Sequence, residues 1–228
     1  MSELVACEKD NSVFVIELRR HELGNLLNRQ LQHELVAAWE EFEADDSLLV
    51  GVIHGAGGVF SVGHDVAELL NGMGDALLPE PVAELFPYTL SKPVIAAVEG
   101  PCYGLGFELA LSCDLRFAAE DALFGFPDTN LRVSYRLASA LLPRLTDLGT
   151  SLDLLLTGEV FDSSRMRKLR LVNKVVTGGT VLARAVEFGL QMSSRLGSTR
   201  AFRKSQIFQF TGLPLSTAIR QARSESIT

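Results

Sequence analysis

Two short runs of consecutive apolar residues constrain the fold of this chain more than any other feature of its sequence. They span residues 48–53 and 94–98, and a glycine-containing junction follows each of them. A strand without polar alternation is buried on both faces, as in a parallel sheet that is covered by helices. Strands that alternate with helices build such sheets, so we predict an α/β fold.

The rest of the chain divides into two parts. Strands are predicted over residues 12–17, 115–118 and 122–125, and a helix is predicted to begin after the cap residue Asn28. Further along, one strand is predicted over 171–176, and helices are predicted over residues 105–113, 137–148, 150–157, 162–169, 180–195, 198–210 and 214–225. We therefore predict a core over residues 1–195 and a C-terminal helical region over residues 196–228. The best candidate for a mobile loop is residues 71–79.

Composition excludes several classes of function. The formal net charge is −7, so the chain as a whole repels a nucleic-acid backbone. Its apolar runs are too short to cross a bilayer, and its first residues lack the pattern of a signal peptide. The three cysteines form no Cys-x-x-Cys pair, and the four histidines lack metal-ligand spacing. We therefore expect a cytoplasmic protein that binds no nucleic acid, no membrane and no metal ion.

The two glycine-containing junctions form the first candidate site. They span residues 59–66 and 100–110, where strands end and helices begin, and this is where open α/β folds bind ligands. Helix N-termini offer backbone N–H groups and a partial positive charge. One N–H group from each junction could hold an oxygen that becomes negative during a reaction. The alternative is that the glycines only form tight turns.

Three side chains in and after these junctions are candidates for proton transfer. Glu108 has mainly apolar neighbours in the sequence, and a buried carboxyl suits proton transfer near neutral pH. The alternative is an ordinary acid near a helix N-terminus. Asp128 follows a proline and is either the second acid of a pair or a turn residue. His64 could contribute either its ring, as a base, or its backbone N–H group, as a hydrogen-bond donor.

At these positions the sequence resembles the crotonase (enoyl-CoA hydratase/isomerase) superfamily. The segment Val-Phe-Ser-Val-Gly-His-Asp-Val at residues 59–66 is similar to the family's Phe-Ser-Ala-Gly-x-Asp-Leu segment. Two further segments resemble the family's most specific block. They are Lys-Pro-Val-Ile-Ala-Ala-Val-Glu-Gly at residues 92–100 and Gly-Leu-Gly-Phe-Glu-Leu-Ala-Leu-Ser-Cys-Asp at residues 104–114. Phe-Gly-Phe-Pro-Asp at 124–128 and later landmarks follow in the same order. The resemblance extends from about residue 5 to residue 215.

The resemblance implies a crotonase-like spiral of ββα units, with two roughly perpendicular sheets and a C-terminal helical region that forms trimers. It implies an acyl-CoA substrate, a homotrimer or a dimer of trimers, and no cofactor apart from the coenzyme A of the substrate. The backbone N–H groups of His64 and Leu105 would bind the thioester oxygen, and Glu108 and Asp128 would be the catalytic carboxylates. The substrate-binding positions would be Val62, Gly63, Asp65, Val66, Ala67, Gly104 and Gly106.

The sequence departs from the family pattern at several positions. Asp128 stands where hydratases have glutamate, so its carboxylate lies roughly 1–1.5 Å further back, a displacement that can cost about 10²-fold in rate. Residues 133–139 replace the Pro-Gly-Ala-Gly-Gly of many relatives, which places Tyr135 and Arg136 near the acyl pocket. These two residues are either a proton donor and an anion clamp or fillers of the space that the glycines leave. Arg170 stands where relatives often have glycine.

The resemblance implies an acyl-CoA enzyme that hydrates a 2-enoyl-CoA. Glu108 would be the main base, and Asp128 would orient the water or act as an acid. The nearest alternatives keep the fold and change the reaction to isomerisation, thioester hydrolysis, decarboxylation or C–C bond formation. A member that binds coenzyme A without turnover is an alternative of another class. The chain also stops before the helices that cover the coenzyme A site in relatives, so we expect a more open pocket or closure by a neighbouring subunit.

Overall fold

The computed structural model describes residues 3–70, 83–127, 134–198 and 204–224. The predicted loop over residues 71–79, part of the helix predicted over 198–210, and Asp128 therefore lie outside the described residues. Within the described ranges, no helix is long and apolar enough to cross a membrane.

A six-stranded sheet forms the centre of the fold. Its order is β1-β2-β3-β4-β6-β9; β1 and β2 are antiparallel, and the other neighbours are parallel. A second sheet has the order β5-β7-β8. The strands are β1 (Val5–Asp10), β2 (Val13–Leu18), β3 (Val50–Gly55), β4 (Val94–Val98), β5 (Pro101–Tyr103), β6 (Leu115–Ala119), β7 (Leu123–Gly125), β8 (Phe161–Asp162) and β9 (Lys174–Val176).

Helices connect and cover these strands. Short 3-10 turns occur at residues 21–23, 56–58, 83–85 and 87–89. The α-helices are α1 (Arg29–Ala44), α2 (Val66–Leu70), α3 (Gly104–Ser112), α4 (Arg136–Leu145), α5 (Leu148–Thr157), α6 (Ser163–Lys168), α7 (Val181–Ser198), α8 (Lys204–Thr211) and α9 (Leu215–Ser224). The mixed architecture confirms the predicted α/β class.

Helix α1 shows how the sequence specifies an element. The Asn28 side chain accepts a hydrogen bond from the Leu31 N–H at 2.9 Å, which is the predicted N-cap. Residues at helical spacing, including Leu35 and Trp39, are buried in the core. The Trp39 indole N–H donates to the Leu85 carbonyl at 3.0 Å, so even the polar atom of this ring has a partner.

Several predicted boundaries are wrong for local physical reasons. The helix predicted over 137–148 ends at Leu145, because Asp147 caps the next helix by accepting from the Thr150 N–H at 2.9 Å. Strand β1 was not predicted because three of its six residues are charged and three are exposed, as expected at a sheet edge. Strands β5 and β8 are too short to produce a pattern in the sequence.

The order of the sheet places the two junctions side by side. Strands β3 and β4 are parallel neighbours, with Gly51 paired to Val94 and His54 paired to Ala97. The carboxyl ends of parallel neighbours lie at the same edge of the sheet. The junctions that follow these strands therefore start next to each other.

A buried arginine holds the far end of helix α3. Arg116 is 4% exposed, and its Nε and Nη1 atoms donate to the carbonyls of Leu171 and Cys113, each at 2.6 Å. Nη1 also lies 3.4 Å from the Ala110 carbonyl oxygen and 3.3 Å from that of Leu111. The last carbonyls of a helix carry partial negative charge and lack partners within the helix, so Arg116 stabilises the C-terminus of α3. Burial lowers the pKa of this guanidinium.

We expect Arg116→Met to lower the free energy of unfolding by about 2–4 kcal/mol, because it leaves buried carbonyls without donors. The matched control is Arg184→Met, since Arg184 is exposed and pairs with Glu187 on the surface of α7. The control should change the stability by less than about 0.5 kcal/mol. Denaturant unfolding measures both variants, and equal losses would contradict the role assigned to Arg116.

Candidate active site

Backbone hydrogen bonds join the two junctions directly. The Ser61 N–H donates to the Pro101 carbonyl at 3.2 Å, and the Tyr103 N–H donates back to the Ser61 carbonyl at 2.9 Å. Gly106 makes this close approach possible, because a Cβ atom at that position would lie 2.6 Å from the Cβ of Ser61. The junctions therefore form one rigid unit, and Gly106 has a packing role beyond turn formation.

The peptide between Gly63 and His64 has a fixed orientation. The Gly63 carbonyl accepts from the Leu27 N–H at 2.8 Å. In a planar trans peptide the C=O and N–H groups point in opposite directions, so the His64 N–H points away from Leu27. Gly63 has a φ of 106°, and a Cβ atom there would lie 3.4 Å from the Leu105 nitrogen. The His64 peptide therefore lies beside the start of α3.

Leu105 supplies the second N–H group. It is the second residue of α3, and N–H groups in the first turn of a helix have no acceptor within that helix. The helix dipole adds a partial positive charge at this end. The N-cap residue Tyr103 makes no side-chain hydrogen bond to the helix. The Gly63–His64 peptide and the first turn of α3 therefore lie side by side. Binding of one anionic oxygen by both N–H groups stays a prediction.

Asn25 and Ser61 hold this arrangement, and sequence reasoning missed both. The Asn25 side chain accepts from the Arg20 N–H at 2.8 Å and donates to the Val59 carbonyl at 2.7 Å. The Ser61 hydroxyl donates to the Asn25 carbonyl at 2.8 Å and accepts from the Gly63 N–H at 3.2 Å. Asn25 has a φ of 53°, a conformation that asparagine tolerates better than most residues. The pair Gly24-Asn25 was the available sequence signal for a special turn.

The side chain of Asp65 is used within the protein. One carboxylate oxygen lies 2.6 Å from Nη2 of Arg20, and the other accepts from the Glu68 N–H at 3.1 Å in the first turn of α2. Burial alone would raise the pKa of Asp65, but these hydrogen bonds and the charge of Arg20 lower it overall. Asp65 therefore positions the segment that carries His64. Its contact with coenzyme A stays a prediction.

The remaining residues of this segment line its outer side. Val62 and Val66 are half-buried, and Ala67 is exposed, whereas Gly63 and His64 are buried. The exposed fractions leave Val62, Val66 and Ala67 accessible to a ligand that lies along the segment. Their contact with coenzyme A is likewise a prediction.

Glu108 lies on the same helix as Leu105 and nearly one turn further on, so the two residues share a face of α3. Its side chain is 2% exposed, and Oε1 accepts from the Ala138 N–H at 2.8 Å. Ala138 is the third residue of α4, so the positive end of that helix stabilises negative charge on Glu108. The carboxylate is therefore buried with a specific partner, as a buried charge requires. Its role as a base stays a prediction.

The ring of Tyr135 lies near the rings of His64 and Phe126. Its ring centroid is 6.4 Å from that of His64 and 4.6 Å from that of Phe126, and the residue is half-buried. Arg136 begins α4 and is exposed. The structure thus places Tyr135 beside His64, and the expected position of Tyr135 and Arg136 near the acyl pocket stays a prediction. Asp128 lies outside the described residues, so its role as the second carboxylate stays a prediction.

The described residues give little support to cysteine chemistry or to a metal site. Burial raises the pKa of the Cys102 thiol well above its usual value and that of Cys113 to about 12, so neither forms a reactive thiolate. Within the ranges that the structure describes, no group of three or more His, Cys, Asp and Glu residues could hold a metal ion.

Comparisons with known proteins agree with this geometry. A family model described as enoyl-CoA hydratase/isomerase matches residues 8–224. The chain is 34% identical to the mevalonyl-coenzyme A hydratase sidH of Aspergillus fumigatus, over 79% of this chain and 69% of the relative. It is 31% identical to the probable enoyl-CoA hydratase echA8 of Mycobacterium tuberculosis, over 90% of this chain and 81% of the relative.

A solved structure gives the same result for the fold. The crystal structure of an enoyl-CoA hydratase from Bacillus anthracis superposes with a TM-score of 0.84 at 27% identity, over 97% of this chain and 88% of that chain. The predicted crotonase-like fold is therefore confirmed. Because the family model matches most of its length, this chain belongs to the enoyl-CoA hydratase/isomerase family.

Proposed function

We propose that this protein hydrates a 2-enoyl-CoA thioester. The observation that carries the proposal is the close approach of Gly63, which precedes the His64 N–H, to the Leu105 nitrogen at the start of the helix that also carries the buried Glu108. The names of the relatives support the same reaction. The reaction needs no cofactor apart from the coenzyme A that the substrate carries.

The thioester oxygen accepts hydrogen bonds from the His64 and Leu105 N–H groups, which makes the β-carbon electron-poor. Glu108 takes a proton from a water molecule, and the water oxygen forms a bond to the β-carbon. The π electrons of the C=C bond move toward the thioester and give an enolate, whose oxygen the two N–H groups stabilise. Return of a proton to the α-carbon completes the addition of water. Asp128 orients the water or supplies this proton.

Double-bond isomerisation is the second candidate. Isomerisation requires a single carboxylate, which moves a proton along the acyl chain. Among the described residues at the site, Glu108 meets this requirement. Incubation of the substrate in heavy-oxygen water separates the two reactions. Hydration places heavy oxygen on the acyl chain, and isomerisation places none.

We propose further that the protein forms a homotrimer or a dimer of trimers in the cytoplasm. Leu148, Leu152 and Leu156 repeat every four residues along α5 and are 46–74% exposed, which leaves an apolar stripe on this helix. Helices α8 and α9 also expose large apolar side chains, namely Ile207, Phe208, Leu215 and Ile219. The cysteines are free thiols, as expected in a reducing compartment.

We expect Glu108→Gln to lower kcat for hydration of crotonyl-CoA by about 10²–10⁴-fold, because the amide cannot accept the proton from water. The amide oxygen can still accept from the Ala138 N–H, so the melting temperature should stay near that of the wild type. The control is Glu120→Gln, since Glu120 is exposed. Equal rates for wild type and Glu108→Gln would contradict the proposed role.

We expect Gly63→Ala to lower kcat/KM by about 10²–10³-fold, because it displaces one of the two N–H groups. A methyl group would lie 3.1 Å from the Tyr103 carbonyl oxygen, and a φ of 106° is unfavourable for alanine. Gly58→Ala is the matched control, since Gly58 also has a positive φ but its Cβ would meet no described atom within 4 Å. Similar losses in both variants would show that backbone strain, and not the N–H position, decides the rate.

We expect light scattering to give three or six times the 24.8 kDa mass of one chain. Leu156→Glu should reduce this mass, because a charge in the apolar stripe of α5 opposes its burial. Leu23→Glu is the control, since Leu23 is 52% exposed and lies outside α5, α8 and α9. A monomeric wild type would contradict the proposed assembly.

A further inference from the structure

A row of aromatic rings leads from the buried core to the site. Phe107 packs against Phe124 and Phe126 with ring centroids 5.5 and 5.1 Å apart, and Phe126 packs against Tyr135 at 4.6 Å. The three phenylalanines are fully buried, whereas Tyr135 is half-buried. The row therefore ends in a ring that is supported from behind and has an accessible surface.

Tyr135 is close to His64 and to the start of the helix that binds Glu108, the two residues proposed to act on the substrate. Its ring lies 6.4 Å from the ring of His64, whose backbone N–H is one of the two oxygen-binding groups. It also directly precedes α4, and the Ala138 N–H three residues later holds the carboxylate of Glu108. We infer that a thioester with its oxygen at the two N–H groups and its β-carbon near Glu108 places its acyl group on the side of the site where the Tyr135 ring lies.

The position of this ring is fixed by its surroundings. Tyr135 cannot turn away from the site without losing its packing on Phe126, and the backbone that follows is committed to α4. Side chains in such packed surroundings define the shape of a pocket because they do not adjust freely. Arg136, in contrast, is exposed.

We propose that Tyr135 sets the size of the acyl group, so that the enzyme accepts short 2-enoyl-CoA substrates and rejects longer ones. This inference rests on the proposed acyl-CoA function and identifies the part of the site that selects among substrates. A group that does not fit an apolar pocket is rejected by about 10–200-fold. The ring, and not the hydroxyl, is the selective element.

The test is a chain-length series of trans-2-enoyl-CoA substrates with four, six, eight and ten acyl carbons. For each enzyme the measured quantity is the ratio of kcat/KM for ten carbons to kcat/KM for four carbons, which is independent of the absolute activity. We expect Tyr135→Ala to raise this ratio by at least about tenfold over wild type, because it removes the ring. Tyr135→Phe keeps the ring and should keep the ratio of the wild type.

An unchanged ratio in Tyr135→Ala, or the same change in Tyr135→Phe, would overturn the inference. If the alanine variant does not fold, Tyr135→Leu serves in its place, since it also removes the ring but keeps an apolar contact to Phe126. If the wild type hydrates no substrate in the series, the proposed hydratase activity fails. The size selection is then read from the affinities of saturated acyl-CoA ligands of the same lengths, where the same shift in Tyr135→Ala is expected and its absence overturns the inference.

Discussion

The hydrogen bond from the Leu27 N–H to the Gly63 carbonyl is the interaction on which the site depends. It fixes which way the Gly63–His64 peptide faces, and a reversed peptide would direct a carbonyl, instead of an N–H, toward the substrate oxygen. The bond is supported by the Asn25 and Ser61 contacts, which join the loop before α1 to the junction after β3. Buried polar side chains thus fix the orientation of the backbone group that we propose binds the thioester oxygen.

Glu108 links the chemistry to the packing of a second helix. Its carboxylate accepts from the first turn of α4, which the side chain of the N-cap residue Tyr135 does not cap. A negative charge on Glu108 would stabilise the start of α4, and the positive end of α4 would stabilise that charge. The same hydrogen bond therefore fixes the carboxylate of the proposed base against the helix that begins directly after Tyr135.

The sequence predicted the parts of the fold and site that have a local pattern. The buried strands β3 and β4 appear as apolar runs, and the glycines of the junctions mark the two segments that meet at the candidate site. Contacts between distant segments leave no such pattern. The Glu108–Ala138 and Asn25–Val59 hydrogen bonds join residues 30 and 34 positions apart, and no periodicity in the sequence indicates them. The edge strand β1 was not predicted for another reason, since its charged residues resemble those of a loop.

The most direct test of this account is the infrared carbonyl frequency of crotonyl-CoA labelled with carbon-13 at the thioester. Bound to Glu108→Gln, which holds the substrate with little turnover, the labelled carbonyl should absorb at a lower frequency than in water. Two N–H groups in a site shielded from solvent polarise the C=O bond more strongly than water does. The shift should diminish when Gly63→Ala is added. A carbonyl frequency equal to that in water would show that the His64 and Leu105 N–H groups do not bind the thioester oxygen, and would contradict the central claim.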